Sequence, residues 1–570
     1  MASPTMEREA ADQPGKGAGG GGARQLVEAA VCLVLAVIVF RTFEVEGYMI
    51  STGSMAPSLW GYHKRVVCPT CRYSFAMGIA FDDDDAAGDV RGVADGDATL
   101  PAEPCVCPNC GQESIDVADV PRSQGDQLLV HKNAYKFHPP RRWETVVFRN
   151  PHRPTQAYVK RVVGLPGERL RIVAGDVWID GEPARKGHQM QRALRVPVHE
   201  HAFAPQDAHW QSRWRAEGDR PTWKESSRGF EIDLLDDPAA LSRTDDGDSR
   251  PPVAWVVYRH WIRAGGSHET SVPIGAWPED GNPPLTSFLP VRYDPDSAVL
   301  SCTGALPDSW RRRLLNDGSQ PEFQRQIERL HEESHYAPVT DVYGYNRREG
   351  ESAPVAVRDL MFSAAVEVTG GEGRFGVRMT DGVQRFDLVL DVGAEQAHLW
   401  VDDDERPARS VPFSRDTLMA PVLVEMSLFD RQVLVAVGDE SLFEPLTLAP
   451  LPTDSEPPRA PVKFGARGLS ARVTELKMFR DVHYRTDTPR TARHGIEEEC
   501  VLGPDEYFVL GDNSPVSADS RCWPSPAVHA RLFLGKPFLV HLPSRPGRVR
   551  IGNRTAHIRV PEVSRIRYIR

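Results

Sequence analysis

Ser54, Lys160 and the stretch from Gly511 to Arg521 hold the side chains whose chemistry is easiest to put to use. Ser54 lies in Gly53-Ser54-Met55-Ala56-Pro57-Ser58-Leu59, just after an apolar segment. Lys160 lies in Tyr158-Val159-Lys160-Arg161-Val162-Val163, which ends at the turn Gly164-Leu165-Pro166-Gly167. A serine hydroxyl is a poor nucleophile at neutral pH and needs a base beside it. A buried lysine can be that base, because burial disfavours the charged amine. An unperturbed lysine titrates near ~10.4, so bringing one down by roughly 2–3 units requires about 3–4 kcal/mol against the ammonium. If 157–163 is extended, Tyr158, Lys160 and Val162 share one face, and Val159, Arg161 and Val163 the other. The lysine then projects among aromatic and aliphatic neighbours, and Arg161 points away to meet an acid elsewhere. Alone, a Val-Lys-Arg-Val tetrad is an ordinary strand with a solvated lysine. The other two segments change that reading.

Taken in order, these segments resemble those of bacterial type I signal peptidases, membrane-anchored endopeptidases that use a Ser/Lys pair. An apolar anchor and the Ser54 segment come first, then Gly125-Asp126-Gln127-Leu128-Leu129-Val130 and Arg141-Arg142-Trp143-Glu144-Thr145-Val146-Val147-Phe148. Tyr158 to Glu168 and Gly511 to Arg521 complete the series. The resemblance implies Ser54 as nucleophile and Lys160 as general base and later general acid. It implies Ser517 as the group that orients the lysine, and Asp519 with Arg521 as a supporting ion pair. The oxyanion hole would be the Ser54 backbone N–H with the Thr52 hydroxyl, and no cofactor is implied for catalysis. The chain departs from the family pattern at Ser51 (proline is usual), at Trp143-Glu144 (Gly-Asp is usual) and at Ser514-Pro515-Val516, where more polar residues are usual. None of these removes a catalytic group.

The elements that must position these residues are unevenly spread. The chain has 570 residues, too many for one core, so two or three domains are expected. A net charge of −11 argues against nucleic acid as partner. Abundant proline and glycine with a modest apolar fraction fit a mainly β protein with one membrane span. Residues 1–23 read as a disordered tail and 24–43 as the transmembrane anchor. The run from Leu26 to Phe43 would reach ~27 Å as a helix, a short span for a ~30 Å hydrocarbon core. Charges flanking it barely orient it. The resemblance supplies the placement: a single-pass cell-membrane protein with its catalytic part on the outer face. The apolar surface around Met55 and Leu59 would rest at the bilayer, with local packing as the rival reading of these two residues.

The catalytic core is expected to be discontinuous, over 44–67, 121–186 and 500–570, with strands at 508–510 and 533–540. Between its parts stand two insertions. In 68–120, Cys68-Pro69-Thr70-Cys71 and Cys107-Pro108-Asn109-Cys110 form two knuckles that could supply a closed, structural zinc site, as in a zinc ribbon. Cys105 is a spare thiol, the acidic run Asp82 to Asp85 a loop, and a pair of disulfides the rival reading. Residues 187–354 have broken periodicity and read as an irregular accessory region with one strand near 253–262. Residues 355–485 alternate strongly, with strands at 386–392, 398–401, 422–426, 433–437 and 473–479, and resemble a concanavalin-like or laminin-G-like β-sandwich. Such modules bind glycans or peptides. Trp400 with Asp402-Asp403-Asp404 is either a ligand patch or a solvated hairpin tip. Residues 486–499 would be a linker.

The function expected is that of a membrane signal peptidase acting on signal-peptide-bearing preproteins with small residues before the cut, with the lipid bilayer as its other partner. A different class, a tethered binding protein with an inactive core that works through its ribbon and sandwich, is opposed by the intact Ser54, Lys160, Ser517, Asp519 and Arg521. A self-cleaving Ser/Lys repressor should carry a DNA-binding helix pair and a basic patch, and neither is visible.

Overall fold

The computed structural model describes residues 21–79, 105–205, 207, 210–217, 223–233, 254–263, 269–278, 281, 283–284, 290–346, 353–452, 454–487, 493–541, 543–551 and 554–569. Most of the expected tail and the run Asp82 to Asp85 lie outside these residues. The fold is mainly β. A helix forms over Gly21–Phe43, where the anchor is expected. Among the described residues no helix is long and apolar enough to cross a membrane. The side chains of 36–43, the more apolar end of that segment, lie outside the described residues.

Three separated stretches of chain build one antiparallel sheet. Its strands run in the order Val45–Met49, Gln127–His131, Phe533–His541, Thr145–Arg149, Ala157–Gly164, Glu506–Leu510 and Val528–His529, and Arg567–Tyr568 pairs onto Phe533–His541. Neighbouring residues of Thr145–Arg149 feed different cores: Val146 and Phe148 pack with Val162, Val509 and Trp523, whereas Val147 packs with Met55, Leu128 and Val540. Both faces are therefore covered, which is why these strands read as nearly continuous apolar runs. Trp143, standing where glycine is usual, has a φ of 67°. That left-handed conformation costs an aromatic residue on the order of 1–3 kcal/mol. Burial among Val163, Leu170 and Leu510 offsets it, with Lys186 Nζ 4.4 Å from the indole centroid.

A second sheet of 14 strands is organised by two long neighbours, Leu360–Thr380 and Val462–Arg480. Register shifts near Ser363, Val368 and Gly371 interrupt their pairing. The core side changes parity between Val368 and Arg374: Leu360, Phe362, Ala364, Val366 and Val368 point inward before this stretch, and Phe375, Val377 and Met379 after it. An inserted residue shifts a period-two pattern in this way and bends the strand. All the strands expected in 355–485 form. The hairpin-tip reading of 402–404 fits, because Asp402 Oδ1 accepts from Arg385 N (2.8 Å). Trp400 is only 7 % exposed, so it presents no open surface to a ligand.

Residues 187–354 differ most from expectation. Val196–Glu200, Gly229–Asp233 and Ala254–Tyr258 pair directly with Val462–Arg480. Trp214 is buried in the same core as Phe362 and Phe464. Further along, Glu269–Pro273, Val291–Asp294 and Val299–Thr303 make a small sheet, covered by the helices Asp308–Asp317 and Pro321–Ser334. The periodicity looked broken because each strand is short and three of them find their partner far along the chain, in Val462–Arg480.

A buried charge cluster joins the sheet of 14 strands to a smaller four-stranded sheet that contains Asp176–Ile179 and Glu182–Pro183. Lys186 Nζ pairs with Asp430 and with Asp481 (2.8 Å), and Asp430 N donates to Asp359 Oδ2 (2.6 Å). Asp176, Asp359 and Asp430 bring carboxylate oxygens within 4.8 Å of one another. Burial, then the charge of Asp430, pushes Asp359 up to about 8; burial likewise pushes Asp430 up to about 6, against the pull of Lys186. A folded-state value above the ordinary ~3.9 gives stabilisation that is complete below that value and is lost as pH rises through the folded value. The melting temperature should therefore fall as pH is raised from about 6 to about 8. Asp359→Asn should flatten that fall in a calorimetric pH series. A melting temperature that rises across this window would contradict the assignment.

Candidate active site

Ser54 sits on a loop whose two ends are tied to Asp126. Ile50 N donates to Asp126 O (2.9 Å), Asp126 N to Trp60 O (2.8 Å), and Trp60 N to Asp126 Oδ2 (3.0 Å). Gly125 is required for this closure, since a Cβ there would overlap the Ile50 carbonyl oxygen. Arg565 (3.0 Å) and Arg567 (3.3 Å) pair with the buried Asp126 carboxylate, and the Arg565 guanidinium lies 3.6 Å from the Trp60 ring centroid. Burial pulls Arg565 down to about 10. Met55 and Leu59 are 1 % and 2 % exposed, packed with Ile50, Leu128, Val130 and Val540. This corrects the expectation that they rest on the bilayer: they are the apolar underside of the loop.

Strand Ala157–Gly164 presents Lys160 to this loop. Lys160 is 3 % exposed, its Nζ lies 2.6 Å from Ser54 Oγ, and it stands 5.9 Å from the Tyr158 ring centroid. Arg161 turns the other way, as alternation requires, and grips Asp512 through two bonds of 2.7 Å and the Trp143 carbonyl at 2.6 Å. Thr52 Oγ1 is 3.4 Å from Ser54 Oγ. Asp519 and Arg521 are fully buried and form a two-point pair, with Nε–Oδ1 at 2.9 Å and Nη2–Oδ2 at 2.8 Å. Burial alone would raise Asp519, but the Arg521 charge outweighs it and holds the carboxyl below its usual range. Ser514 fits its unusual place, its hydroxyl accepting from Arg521 Nη1 (2.6 Å) and Arg485 N (2.7 Å). Ser517 is buried beside Gly511 and the Ser54 carbonyl, where its hydroxyl also helps hold the Asp519 carboxyl below its usual range.

The four knuckle cysteines also converge. Each Cys-x-x-Cys turn repeats one pattern: Arg72 N to Cys68 O (3.0 Å) and Cys68 N to Tyr73 O (2.9 Å), then Gly111 N to Cys107 O (2.9 Å) and Cys107 N to Gln112 O (2.9 Å). Their sulfurs lie within 4.8 Å of one another, with Cys68–Cys110 at 3.7 Å and Cys71–Cys107 at 3.6 Å. Ligands ~2.3 Å from a tetrahedral zinc are separated by roughly 3.8 Å, so the donor set and its spacing fit such an ion. None of the nine cysteines is in a disulfide, and Cys105 is buried outside the group.

Other residues at the site were not singled out from the sequence. Asn513 N donates to Ser54 O (3.0 Å) and Asn513 Nδ2 to Gly53 O (3.0 Å), so it holds the serine's own backbone. Asp126 and Asn513 stand inside quoted segments, each beside a glycine-containing turn, and that was the available signal. Arg565 and Arg567 gave none, being more than 400 positions from their partner.

Comparison with known proteins now adds a class. Residues 119–219 match the family described as signal peptidase, peptidase S26. The chain is 36% identical over 87 residues to a probable signal peptidase I-1 of Synechocystis sp., covering 13% of this chain and 44% of that protein. It is 39% identical over 71 residues to the signal peptidase I of Leptolyngbya laminosa, covering 11% and 34%. The chain thus spans less than half the length of these relatives. The resemblance to type I signal peptidases is shown over this segment, which takes in Lys160; Ser54 and Gly511 to Arg521 lie outside it. Among solved structures, the carbohydrate binding module CBM66 from Bacillus subtilis aligns at 9% identity over 21% of this chain and 74% of that one, with a TM-score of 0.16, too low to carry an argument.

The buried ion pair gives a direct test. Arg521→Met leaves the Asp519 carboxylate buried without its counter-charge and should cost about 3–5 kcal/mol in urea unfolding. Because the Asp519 value is depressed, its contribution is present above the ordinary aspartate value and is lost as pH falls through the folded one. Wild-type stability in Arg521→Met would contradict this role.

Proposed function

We propose that the chain is a membrane-anchored signal peptidase of type I that cuts signal peptides from exported preproteins. The observation that carries this reading is the 2.6 Å separation of the buried Lys160 Nζ from Ser54 Oγ, across 106 positions of sequence. With the amine uncharged, the contact runs from the serine O–H to the lysine nitrogen. The amine takes the proton as Oγ attacks the carbonyl carbon of the scissile bond. The Ser54 N–H and the Thr52 hydroxyl would stabilise the oxyanion. The resulting ammonium then protonates the departing amine, and the neutral lysine activates the water that hydrolyses the acyl-enzyme. The helix Gly21–Phe43 would supply the anchor, with the catalytic sheet on the outer face of the cell membrane. Ser54→Ala and Lys160→Ala should each reduce cleavage of an Ala-x-Ala preprotein by about 10³-fold or more. Wild-type turnover in either variant would remove the reading.

The cysteine cluster would hold a structural zinc, with all four coordination positions filled by thiolates and none open to water. Elemental analysis of the purified chain should find one zinc per molecule. Cys71→Ser with Cys107→Ser should lose it and lower the melting temperature. A zinc-free chain of unchanged stability would refute the site.

A further inference from the structure

The inserted accessory region touches the serine loop itself. Tyr343 to Asn346 runs out of that region and packs between the cysteine ribbon and the loop. Tyr345 is buried with Ala56 of the loop and Ala76 of the ribbon. A Cβ on Gly53 or on Gly78 would overlap the Tyr345 ring, so both glycines are cut to fit it. Gly78 N donates to Tyr345 O (2.7 Å), and Tyr345 Oη donates to Tyr62 O (3.2 Å). Asn346 and Asn513 form a reciprocal amide pair, with Nδ2–Oδ1 distances of 2.8 and 2.7 Å. Asn513 in turn bonds the Gly53 carbonyl and, through its backbone N–H, the Ser54 carbonyl (3.0 Å each). The base of this segment is also fixed, since Arg485 Nη2 donates to Asp341 Oδ1 (3.0 Å) while Arg485 N donates to Ser514 Oγ (2.7 Å).

We infer that Tyr345 and Asn346 are positioning residues for the nucleophile: the accessory region braces the peptide units on either side of Ser54 and so sets its hydroxyl against Lys160. The inference rests on the Ser54–Lys160 reading above. Two independent contacts converge on the same two residues, the Tyr345 ring on Gly53 and the Asn346–Asn513 pair on the Gly53 and Ser54 carbonyls. A ring stacked on a glycine blocks movement of the loop toward it. Two hydrogen bonds to successive carbonyls fix the rotation of the peptide planes, and with it the direction in which the serine side chain leaves the backbone. Neither residue contacts Lys160 in the hydrogen bonds formed here. A misplacement of about 1 Å in a reacting group can cost on the order of 10²-fold in rate.

The test uses the full-length chain in detergent micelles with an Ala-x-Ala peptide substrate, measuring kcat and KM separately. Asn346→Ala should lower kcat by about 10- to 100-fold and leave KM within roughly threefold, since the substrate still binds but the hydroxyl is misaimed. Tyr345→Ala should behave alike, and Tyr345→Phe, which keeps the ring on Gly53, should restore most of the rate. If Tyr345→Ala does not fold, Asn346→Ala and Tyr345→Phe carry the decision. The inference is overturned if Asn346→Ala keeps its kcat within twofold while Ser54→Ala is inactive. It is also overturned if the loss falls in KM, if Tyr345→Phe loses most of the wild-type rate, or if removing the brace raises the rate. A wild-type chain no more active than Ser54→Ala removes the underlying reading instead, and the inference with it.

Discussion

Keeping a lysine amine dry and within reach of a hydroxyl is the demand that shapes this part of the molecule. A carboxylate beside such an amine would favour its charged form and work against its use as a base. The acids brought in by the third segment are each committed to a guanidinium: Asp512 to Arg161, Asp519 to Arg521. Asp126 under the serine loop is likewise committed to Arg565 and Arg567. Arginine suits the task, because its planar fork satisfies both oxygens of a carboxylate and stays charged when buried. The sheet around Lys160 is thus held by buried carboxylate–guanidinium pairs.

The insertions are joined to this centre rather than hung from it. The long strands Leu360–Thr380 and Val462–Arg480 gather short strands from the preceding region onto the same core. Lys186 and its aspartates bind that assembly to the sheets around it. From it Tyr345 reaches the serine loop, resting against a strand of the cysteine ribbon. The serine loop, the strand Ser74–Gly78 and the accessory region therefore meet at Tyr345.

Local signals made much of this legible. Alternation in 157–163 separates Lys160 from Arg161 and implies a remote acid for the latter, which Asp512 provides. The strands of 355–485 are readable because each is long enough to show its period. The knuckles are readable because a Cys-x-x-Cys turn is set by neighbouring residues. What escaped was long-range. Three strands of 187–354 are five residues long and take their meaning from Val462–Arg480, far along the chain. The apolar pair Met55 and Leu59 reads equally well as a membrane face or a packed underside, and only the positions of Leu128 and Val540 decide it.

The order in which these parts leave the ribosome follows from the discontinuous sheet. Ser54 and Lys160 are synthesised well before the strand beside Lys160, the asparagine under Ser54 and the arginines beneath its loop, which all follow the long accessory region. A nascent chain has both reactive groups yet lacks the scaffold that aligns them. The two groups are thereby left unaligned until Glu506 to Tyr568 has been made.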